Sequence, residues 1–289
     1  MSEEPTMRPH ASDENVIYAS DADGQMNWAM KKARLTLNYF KESLGSPRPD
    51  QLSFSLKARI IDGEVTEHIW LSDVSYDADD HFYGTVNNEP VDVRNVQLGS
   101  RVGLKYEDVS DWLIVENGRL IGGYTIRAFR DQMPEEQKPG FDQSIGLHID
   151  EGVDYFDHNM HTPEGAILCL EDAYTAGDLE AAAACKDFEN EAKMMLKARE
   201  MPMGEEVLKS MAGALESSFK LYMSENGMPS FTGVKRAFPS REFLDEGTVI
   251  VTEICTHPDG RRTLDRLVVT RFGDREWRVG PPANDQGDS

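Results

Sequence analysis

The sequence predicts an α+β protein of two domains, and three observations lead to this fold class. The chain has 289 residues, which exceeds the usual length of one domain. In each half, segments with the three- and four-residue apolar spacing of helices precede segments with the alternation typical of strands. A stretch rich in acids, glycine and proline separates the halves, so each half is expected to form a core of its own.

The first half is predicted to be one helix followed by an antiparallel meander. Asp23 is a candidate N-cap, apolar residues recur at helical spacing from Met26 to Leu44, and Gly45 ends the pattern. Asn117-Gly118 indicates a tight hairpin turn, because this pair readily adopts positive φ angles. Strands are expected at about residues 52–61, 65–72, 81–88, 101–106, 111–115 and 119–127.

The second half is predicted to be a three-helix layer on a curved antiparallel sheet. Pro163-Glu164 begins a helix that runs to about Ala176, and Gly177-Asp178 begins another that runs toward Arg199. The third helix covers about residues 205–224. Strands are expected at about residues 231–238, 247–256, 263–272 and 275–279.

These patterns set the expected domain boundaries. Residues 131–161 contain eight acids and one base, with little apolar periodicity, which is typical of a solvated linker. The expected order is a flexible N-terminus at 1–20, a first domain at 21–130, the acidic linker at 131–161, a second domain at 162–280 and a flexible tail at 281–289.

The chain is strongly acidic, with a formal charge of −22. Residues 1–150 and residues 151–289 each contain 26 acids and 15 bases, so the acidity is evenly spread. Such a charge repels nucleic acids and anionic membranes, and neither is expected as a partner. Solubility or adaptation to a salty medium accounts for the charge, and so does a partner protein with a basic surface.

The sequence favours a cytoplasmic location. No apolar run reaches the roughly 20 residues of a membrane helix, and the N-terminus is acidic and polar. The three cysteines form no Cys-x-x-Cys pair, which suits a reducing compartment. Gly122-Gly123 is not read as a phosphate loop, because the lysine and the following helix of such a loop are missing, and no cofactor is expected.

The first half contains a series of short motifs in a fixed order. They are Ala33-Arg34-x-Thr36, Glu67-His68-x-Trp70, Asn88-Glu89-Pro90, Asp111-Trp112 and Gly123-Tyr124-Thr125. Through these residues, about residues 23–130 resemble the YegJ-type family of uncharacterised bacterial domains, a family without assigned chemistry.

About residues 162–280 resemble the nuclear-transport-factor-two-like fold, in which a helical layer and a bent sheet form a conical cavity. The resemblance depends on the helix junction at 173–180 and on the closing strand Arg275-Glu276-Trp277-Arg278-Val279. It implies a cavity that either holds a small ligand or is filled by side chains, and it is compatible with a homodimer formed through the outer faces of the sheets.

Five candidate binding residues lie in the first half. Glu67 and His68 are adjacent on a predicted strand, so they point to opposite faces and cannot act as an acid–base pair with each other. His68 is either a hydrogen-bonded structural group or a base that Asp111 or Glu89 orients. Asp111 has the alternative role of a carboxylate that binds backbone amides at the start of a strand. Glu89 is alternatively part of a strand exit. Arg127 is either a ligand of an anionic group or a surface arginine.

Two further candidates lie in the second half, and no metal site is predicted. Glu253 and His257 are the polar residues best placed to face the expected cavity, although both positions also suit solvent exposure. Two acidic groups that superficially suggest metal ligands are interpreted as solvated charge, because they lack the defining residues of zinc helices and calcium loops. They are Asp154, Asp157, His158 and His161, and Asp77, Asp79 and Asp80.

Two functional classes remain open. The favoured one is a non-catalytic acidic protein that binds a partner with a basic surface, for example as an immunity-type inhibitor of a basic toxin. The alternative is a small-ligand-binding protein or enzyme that uses the cavity of the second domain. No residue is assigned a catalytic role from the sequence.

Overall fold

A computed structural model describes residues 24–77, 79, 81–150 and 152–283. The chain divides into two compact units at the bond between Gly152 and Val153. Each unit contains helices and one antiparallel sheet, which confirms the α+β class. The predicted N-cap Asp23, the predicted flexible N-terminus and most of the predicted tail lie outside the described residues. Within the described ranges, no helix has both the length and the apolar composition needed to cross a bilayer.

The described residues of the first unit form a six-stranded antiparallel sheet and four helices. Its strand order is β4-β3-β2-β1-β5-β6. Its elements are α1 (Gly24–Leu35), α2 (Leu37–Gly45), β1 (Gln51–Asp62), β2 (Val65–Tyr76), β3 (Phe82–Val86), β4 (Arg101–Leu104), a 3-10 turn (Tyr106–Asp108), β5 (Val109–Glu116), β6 (Arg119–Gly122), α3 (Tyr124–Asp131) and α4 (Lys138–Ile145).

The predicted first helix is divided into α1 and α2 at Thr36. The Thr36 hydroxyl donates to the Lys32 carbonyl oxygen at 2.8 Å, and Trp112 Nε1 donates to both the Ala33 carbonyl oxygen, at 3.0 Å, and Thr36 Oγ1, at 3.1 Å. The buried Trp112 ring therefore satisfies a carbonyl at the end of α1, which helical spacing alone does not reveal.

The central three strands place two rows of residues on opposite faces of the sheet. On one face Leu71, Leu56 and Trp112 are paired across β2, β1 and β5, and all three are buried. On the other face Lys57 pairs with both Trp70 and Asp111. A lysine and an aspartate thus lie side by side in the middle of a sheet.

The predicted last strand of the first half is wrong beyond residue 122. β6 ends at Gly122, and α3 begins at Tyr124. Gly122 and Gly123 have φ angles of 69° and 61°, and a Cβ at Gly122 would lie 2.6 Å from the Trp112 ring. These two positions require glycine, and the chain turns there from strand into helix. A helix therefore does follow Gly122-Gly123, contrary to the sequence-based reading.

Parts of the stretch predicted to be a solvated linker pack within the unit to which they belong. In the first unit, Phe141 and Ile145 of α4 and the following Leu147 pack against a cluster formed by Leu120, Ile126 and Ile149. In the second unit, Asp154 Oδ2 accepts from the Phe238 amide at 2.7 Å, and Phe156 is buried. Most of the described residues between 131 and 148 are exposed or half-buried, as a solvated stretch would be.

The second unit consists of four helices followed by a four-stranded antiparallel sheet with strand order β10-β9-β8-β7. The predicted helix from Asp178 toward Arg199 is two helices, because Asp187 caps a new one by accepting from the Asn190 amide at 2.9 Å. The last strand includes Pro282, so the predicted tail begins inside it. The elements are α5 (Pro163–Ala176), α6 (Leu179–Ala184), α7 (Phe188–Ala198), α8 (Glu205–Asn226), β7 (Lys235–Phe243), β8 (Thr248–Thr256), β9 (Arg262–Phe272) and β10 (Glu276–Pro282).

Candidate functional site

Seven motif residues of the first unit, together with Lys57 and Ser110 that contact two of them, lie on the central strands β1, β2 and β5, on the loop after β3 and at the start of α3. We call this set the signature cluster. Its members are Lys57, Glu67, His68, Trp70, Asn88, Ser110, Asp111, Trp112 and Thr125.

Asp111 is the fully buried centre of the signature cluster, with 0% of its surface exposed. Its Oδ1 accepts from the amides of Trp112 at 2.8 Å and Tyr124 at 3.0 Å. Its Oδ2 accepts from the amide and the hydroxyl of Thr125 at 2.8 and 2.6 Å. Burial raises the pKa of Asp111, while the Thr125 hydrogen bonds and the charge of Lys57 oppose the rise. The carboxylate binds backbone amides and fills the N-terminus of α3, where a negative charge is favourable.

Lys57 is the buried cation of the signature cluster. Its Nζ donates to Thr125 Oγ1 at 3.3 Å and lies 5.6 Å from the centroid of the Trp70 ring. Burial lowers the pKa of Lys57, and the charge of Asp111 opposes this shift. The opposite charges of Lys57 and Asp111 therefore partly offset each other in the interior, and the Thr125 hydroxyl lies between the two groups as a partner of both.

Glu67 holds the loop that follows β3. Only 7% of its surface is exposed, and its carboxylate accepts from the amides of Val91 at 3.0 and 3.1 Å, Asp92 at 2.9 Å and Val93 at 3.1 Å. Three successive amides thus converge on one carboxylate. The neighbouring candidate Glu89 is exposed on the same loop. Glu67 is consequently occupied within the fold and is not directed at solvent.

His68 and Asn88 fix the other side of β2. His68 Nδ1 lies 2.9 Å from Ser110 Oγ, and Ser110 Oγ donates to the Lys57 carbonyl oxygen at 3.0 Å. Asn88 Oδ1 accepts from the Trp70 amide at 2.9 Å. Because four donors already use the Asp111 oxygens, this geometry supports the structural interpretation of the histidine over that of an oriented base.

Arg127 is likewise used inside the first unit. Its Nε donates to the Gly122 carbonyl oxygen at 2.9 Å and its Nη2 to the Leu120 carbonyl oxygen at 2.5 Å. It also forms an ion pair with Asp150 at 3.5 Å. The guanidinium therefore ties the start of α3 to β6 and to the segment after α4, instead of presenting itself to an anionic ligand.

In the second unit, two arginine–glutamate pairs join α5 to β7. Glu164 and Glu171 are seven residues apart on α5 and so share one helix face. Arg241 donates to both oxygens of the fully buried Glu164, and Arg236 Nε donates to Glu171 Oε2 at 2.7 Å. None of these four residues is among the binding candidates chosen from the sequence. The sequence feature that could have revealed them is the pair of glutamates at helical spacing in a largely apolar helix, because buried glutamates need partners.

Glu253 faces this same buried region and completes what we call the carboxylate cluster, formed by Glu171, Glu253 and Cys255 with Arg236. Glu253 is 3% exposed and Cys255 is 2% exposed. Burial raises the pKa of Glu253 well above the usual glutamate value, and the charge of Glu171 adds to the rise. Burial also raises the pKa of Glu171, opposed by Arg236. Burial and mutual repulsion therefore oppose the state in which both carboxyl groups are charged, and Arg236 favours that state.

His257, the other candidate of the second unit, lies outside the carboxylate cluster. It is half-buried at the hairpin between β8 and β9, where its amide donates to the Arg261 carbonyl oxygen at 2.9 Å. Its Nδ1 lies 3.3 Å from an Arg261 guanidinium nitrogen. The structure therefore separates Glu253 from His257, and their chemistry is independent.

The two acidic groups considered as metal ligands have different surroundings. Asp154 is buried against the Phe238 amide, while His158 forms an exposed pair with Asp172, so these two residues of the first group have separate partners. In the second group, Asp77 Oδ1 accepts from the amides of Asp79 and His81 at 2.9 and 3.0 Å, and Asp77, Asp79 and His81 lie close together. Asp80 lies outside the described residues.

Comparisons with known proteins match the first unit. Residues 23–149 match a family described as an uncharacterized protein conserved in bacteria (DUF2314). A protein of Neisseria meningitidis serogroup B that is named for ankyrin repeats is 37% identical over 143 residues, which are 47% of this chain and 56% of that protein. YegJ of Escherichia coli K12, an uncharacterized protein, is 38% identical over 112 residues, which are 39% of this chain and 71% of YegJ. The chain thus spans little more than half of the Neisseria relative, and no solved structure matches it.

Proposed function

The chain belongs, through residues 23–149, to the DUF2314 family of uncharacterized proteins conserved in bacteria, and on this premise we propose that it is a non-catalytic protein of the bacterial cytoplasm that binds a partner with a basic surface. The proposed partner is a protein. In its most specific form, the proposal is that the chain is an immunity-type inhibitor that covers the basic surface of a toxin.

The main support for this proposal is the hydrogen bonding of two buried carboxylates. Both carboxylates of the signature cluster, Asp111 and Glu67, have their acceptor positions filled by donors of the chain itself. A general base or a nucleophile needs a free position within hydrogen-bond reach of a substrate. The motif residues are therefore suited to holding a surface in shape, and binding is the function that a rigid surface serves.

The charge supports a basic partner. The formal charge is −22, and the two halves contribute equal numbers of acids and bases. Complementary charge raises the rate of association with a positively charged protein, and the effect declines as salt screens it. The same charge opposes binding to nucleic acids and anionic membranes, so these remain outside the proposal.

The Neisseria relative adds a consideration of architecture. That protein is named for ankyrin repeats, and stacked repeats of this kind present extended concave surfaces for binding. A family domain that occurs in such a protein is compatible with a role in recognising macromolecules.

Affinity capture and kinetics test the proposal together. The intact chain is immobilised, the lysate of its own bacterium is passed over it, and the retained protein is identified by mass and purified. We expect a single basic protein at a one-to-one ratio, whose association rate falls at least about tenfold between roughly 50 and 300 mM salt. A retained small molecule without a protein, or a protein whose association rate is independent of salt, would contradict the proposal.

A second candidate function is supported by the carboxylate cluster. We propose the nuclear-transport-factor-two-like fold for the second unit, with a small ligand held between α5 and the sheet. The support is the order of four helices before an antiparallel sheet and the buried polar group of Glu171, Glu253 and Cys255 between them. A homodimer formed through the sheets is part of this alternative. Native mass spectrometry of the purified chain distinguishes it, because a retained ligand or a doubled mass is measured directly.

A further inference from the structure

The carboxylate cluster brings together three side chains with metal-binding atoms. One ligand atom from each of Glu171, Glu253 and Cys255 lies within 4.8 Å of the others, and all three residues are buried. Glu253 and Cys255 are two residues apart on β8, so both point to the same face, and Glu171 approaches that face from α5. Two rigid elements therefore position the three groups.

One oxygen of the carboxylate cluster lacks a donor. Glu253 is 3% exposed, and its Oε1 is buried without a hydrogen-bond partner among the described residues. Nearly all buried polar side-chain atoms in native proteins have a partner, and each exception calls for a specific explanation. A cation in contact with Oε1 supplies that explanation, since this atom can only accept when the carboxyl group is ionised.

The charges of the carboxylate cluster leave room for a divalent cation. Arg236 donates to Glu171 Oε2 at 2.7 Å and so balances one carboxylate. With Glu253 and Cys255 also ionised, the three acidic groups carry three negative charges against one positive charge. A bound divalent ion would favour the ionised forms of Glu253 and Cys255, which metal ligands adopt, and would compensate their charge together with Arg236.

We propose that Glu171, Glu253 and Cys255 bind one divalent transition-metal ion of the zinc class. A thiolate together with carboxylate oxygens suits a borderline-soft ion, whereas magnesium and calcium prefer ligand sets made of oxygen alone. Three protein ligands are the number found in zinc sites that keep a fourth position for water or a small ligand. The site is independent of the partner-binding function proposed above, so either can fail without the other.

The test uses the intact chain after removal of adventitious metal with a chelator. Cobalt chloride is the probe in absorption spectroscopy, and zinc chloride is the probe in titration calorimetry. We expect one ion per chain, a cysteinate-to-cobalt charge-transfer band in the near ultraviolet, and a higher Tm with zinc but not with magnesium chloride.

Three variants assign the ligands. Cys255→Ser is expected to abolish the charge-transfer band, and Glu253→Gln to weaken zinc binding by more than about tenfold, the smallest loss typical even of residues that only support a ligand. Cys169→Ser is the matched control, because Cys169 is a half-buried cysteine of α5 outside the carboxylate cluster, and it should keep both the band and the affinity.

Each contrary result overturns the proposal. These results are the absence of stoichiometric binding by the wild type, a charge-transfer band that persists in Cys255→Ser, or wild-type zinc affinity in Glu253→Gln. If Cys255→Ser does not fold, Glu253→Gln decides alone, because glutamine has nearly the shape of glutamate and removes a charge from a buried position. Circular dichroism of the metal-free variants establishes that they are folded.

Discussion

Replacement of Asp111 by asparagine removes one negative charge and almost no volume from the buried junction of β5 and α3. The four hydrogen bonds to Asp111 come from three amides and one hydroxyl, at 2.6 to 3.0 Å. Asparagine has one acceptor oxygen, and its NH2 group would face at least one amide of Trp112, Tyr124 or Thr125. A buried donor left without an acceptor costs about 1–3 kcal/mol, and the loss of the negative charge also removes an interaction that favours the buried ammonium group of Lys57.

The two effects overlap because they act on the same group, so we expect Asp111→Asn to lower the free energy of unfolding by about 2–3 kcal/mol. Urea unfolding followed by tryptophan fluorescence measures this change. Asp108→Asn is the matched control, because Asp108 forms a half-exposed pair with Arg59 at 3.0 Å, and it should cost less than about 1 kcal/mol.

A double variant identifies the cause. Adding Lys57→Met to Asp111→Asn removes the ammonium group that lost its counter-charge, and stability should recover by about 1 kcal/mol or more. An Asp111→Asn protein within about 1 kcal/mol of the wild type would refute the structural role of this carboxylate. Wild-type stability with lost partner binding would in addition assign Asp111 to the function.

Two further predictions concern the turn before α3 and the contact between α3 and α4. Gly122→Ala should lower the free energy of unfolding by about 3 kcal/mol or more in the same urea assay, because the new Cβ would meet Trp112 and the φ angle is positive. Gly118→Ala is the control, since a Cβ at this position, where φ is 73°, meets no other atom within 4 Å. It should cost about 1–2 kcal/mol. Arg130 donates two hydrogen bonds to Asp142, at 2.6 and 2.8 Å, and they lower the pKa of Asp142. The pair therefore stabilises the fold fully at pH values above the unfolded pKa of about 3.9. This stabilisation is lost as the pH falls through the lower pKa of the folded state. Asp142→Asn should therefore cost about 0.5 kcal/mol at neutral pH and progressively less as the pH falls below about 3.9, and thermal unfolding with a loss that stays constant over this range would contradict this.

The strands of the first unit could be predicted where local sequence determines them. β1 and β2 agree with the expected segments within a few residues, and the turn at Asn117-Gly118 joins β5 to β6 as expected. α3 could not be predicted, because its first residues alternate in the way that strands do. Its helical start depends on the carboxylate of Asp111, which is 14 residues before Thr125 in the chain.

The signature cluster was partly predictable for the same reason. Strand alternation places Glu67 and His68 on opposite faces, and the structure has Glu67 on the amides of 91–93 and His68 beside Ser110. Lys57 did not stand out, because its importance arises from its register opposite both Trp70 and Asp111. Register between strands depends on the whole sheet and cannot be read from one segment.

The buried carboxylates of the signature cluster differ from Glu253 of the second unit in their hydrogen bonds, and this difference indicates where chemistry is to be sought. In the first unit every oxygen of Asp111 and Glu67 accepts hydrogen bonds from the chain, so both groups are fully accounted for by stability. In the second unit Glu253 keeps a buried oxygen without a donor among the described residues, beside Glu171 and Cys255. Such an atom costs about 1–3 kcal/mol and contributes nothing to folding, whereas a leucine at the same place would be stabilising. The carboxylate cluster therefore fits a ligand better than it fits a structural role, while the signature cluster fits a scaffold.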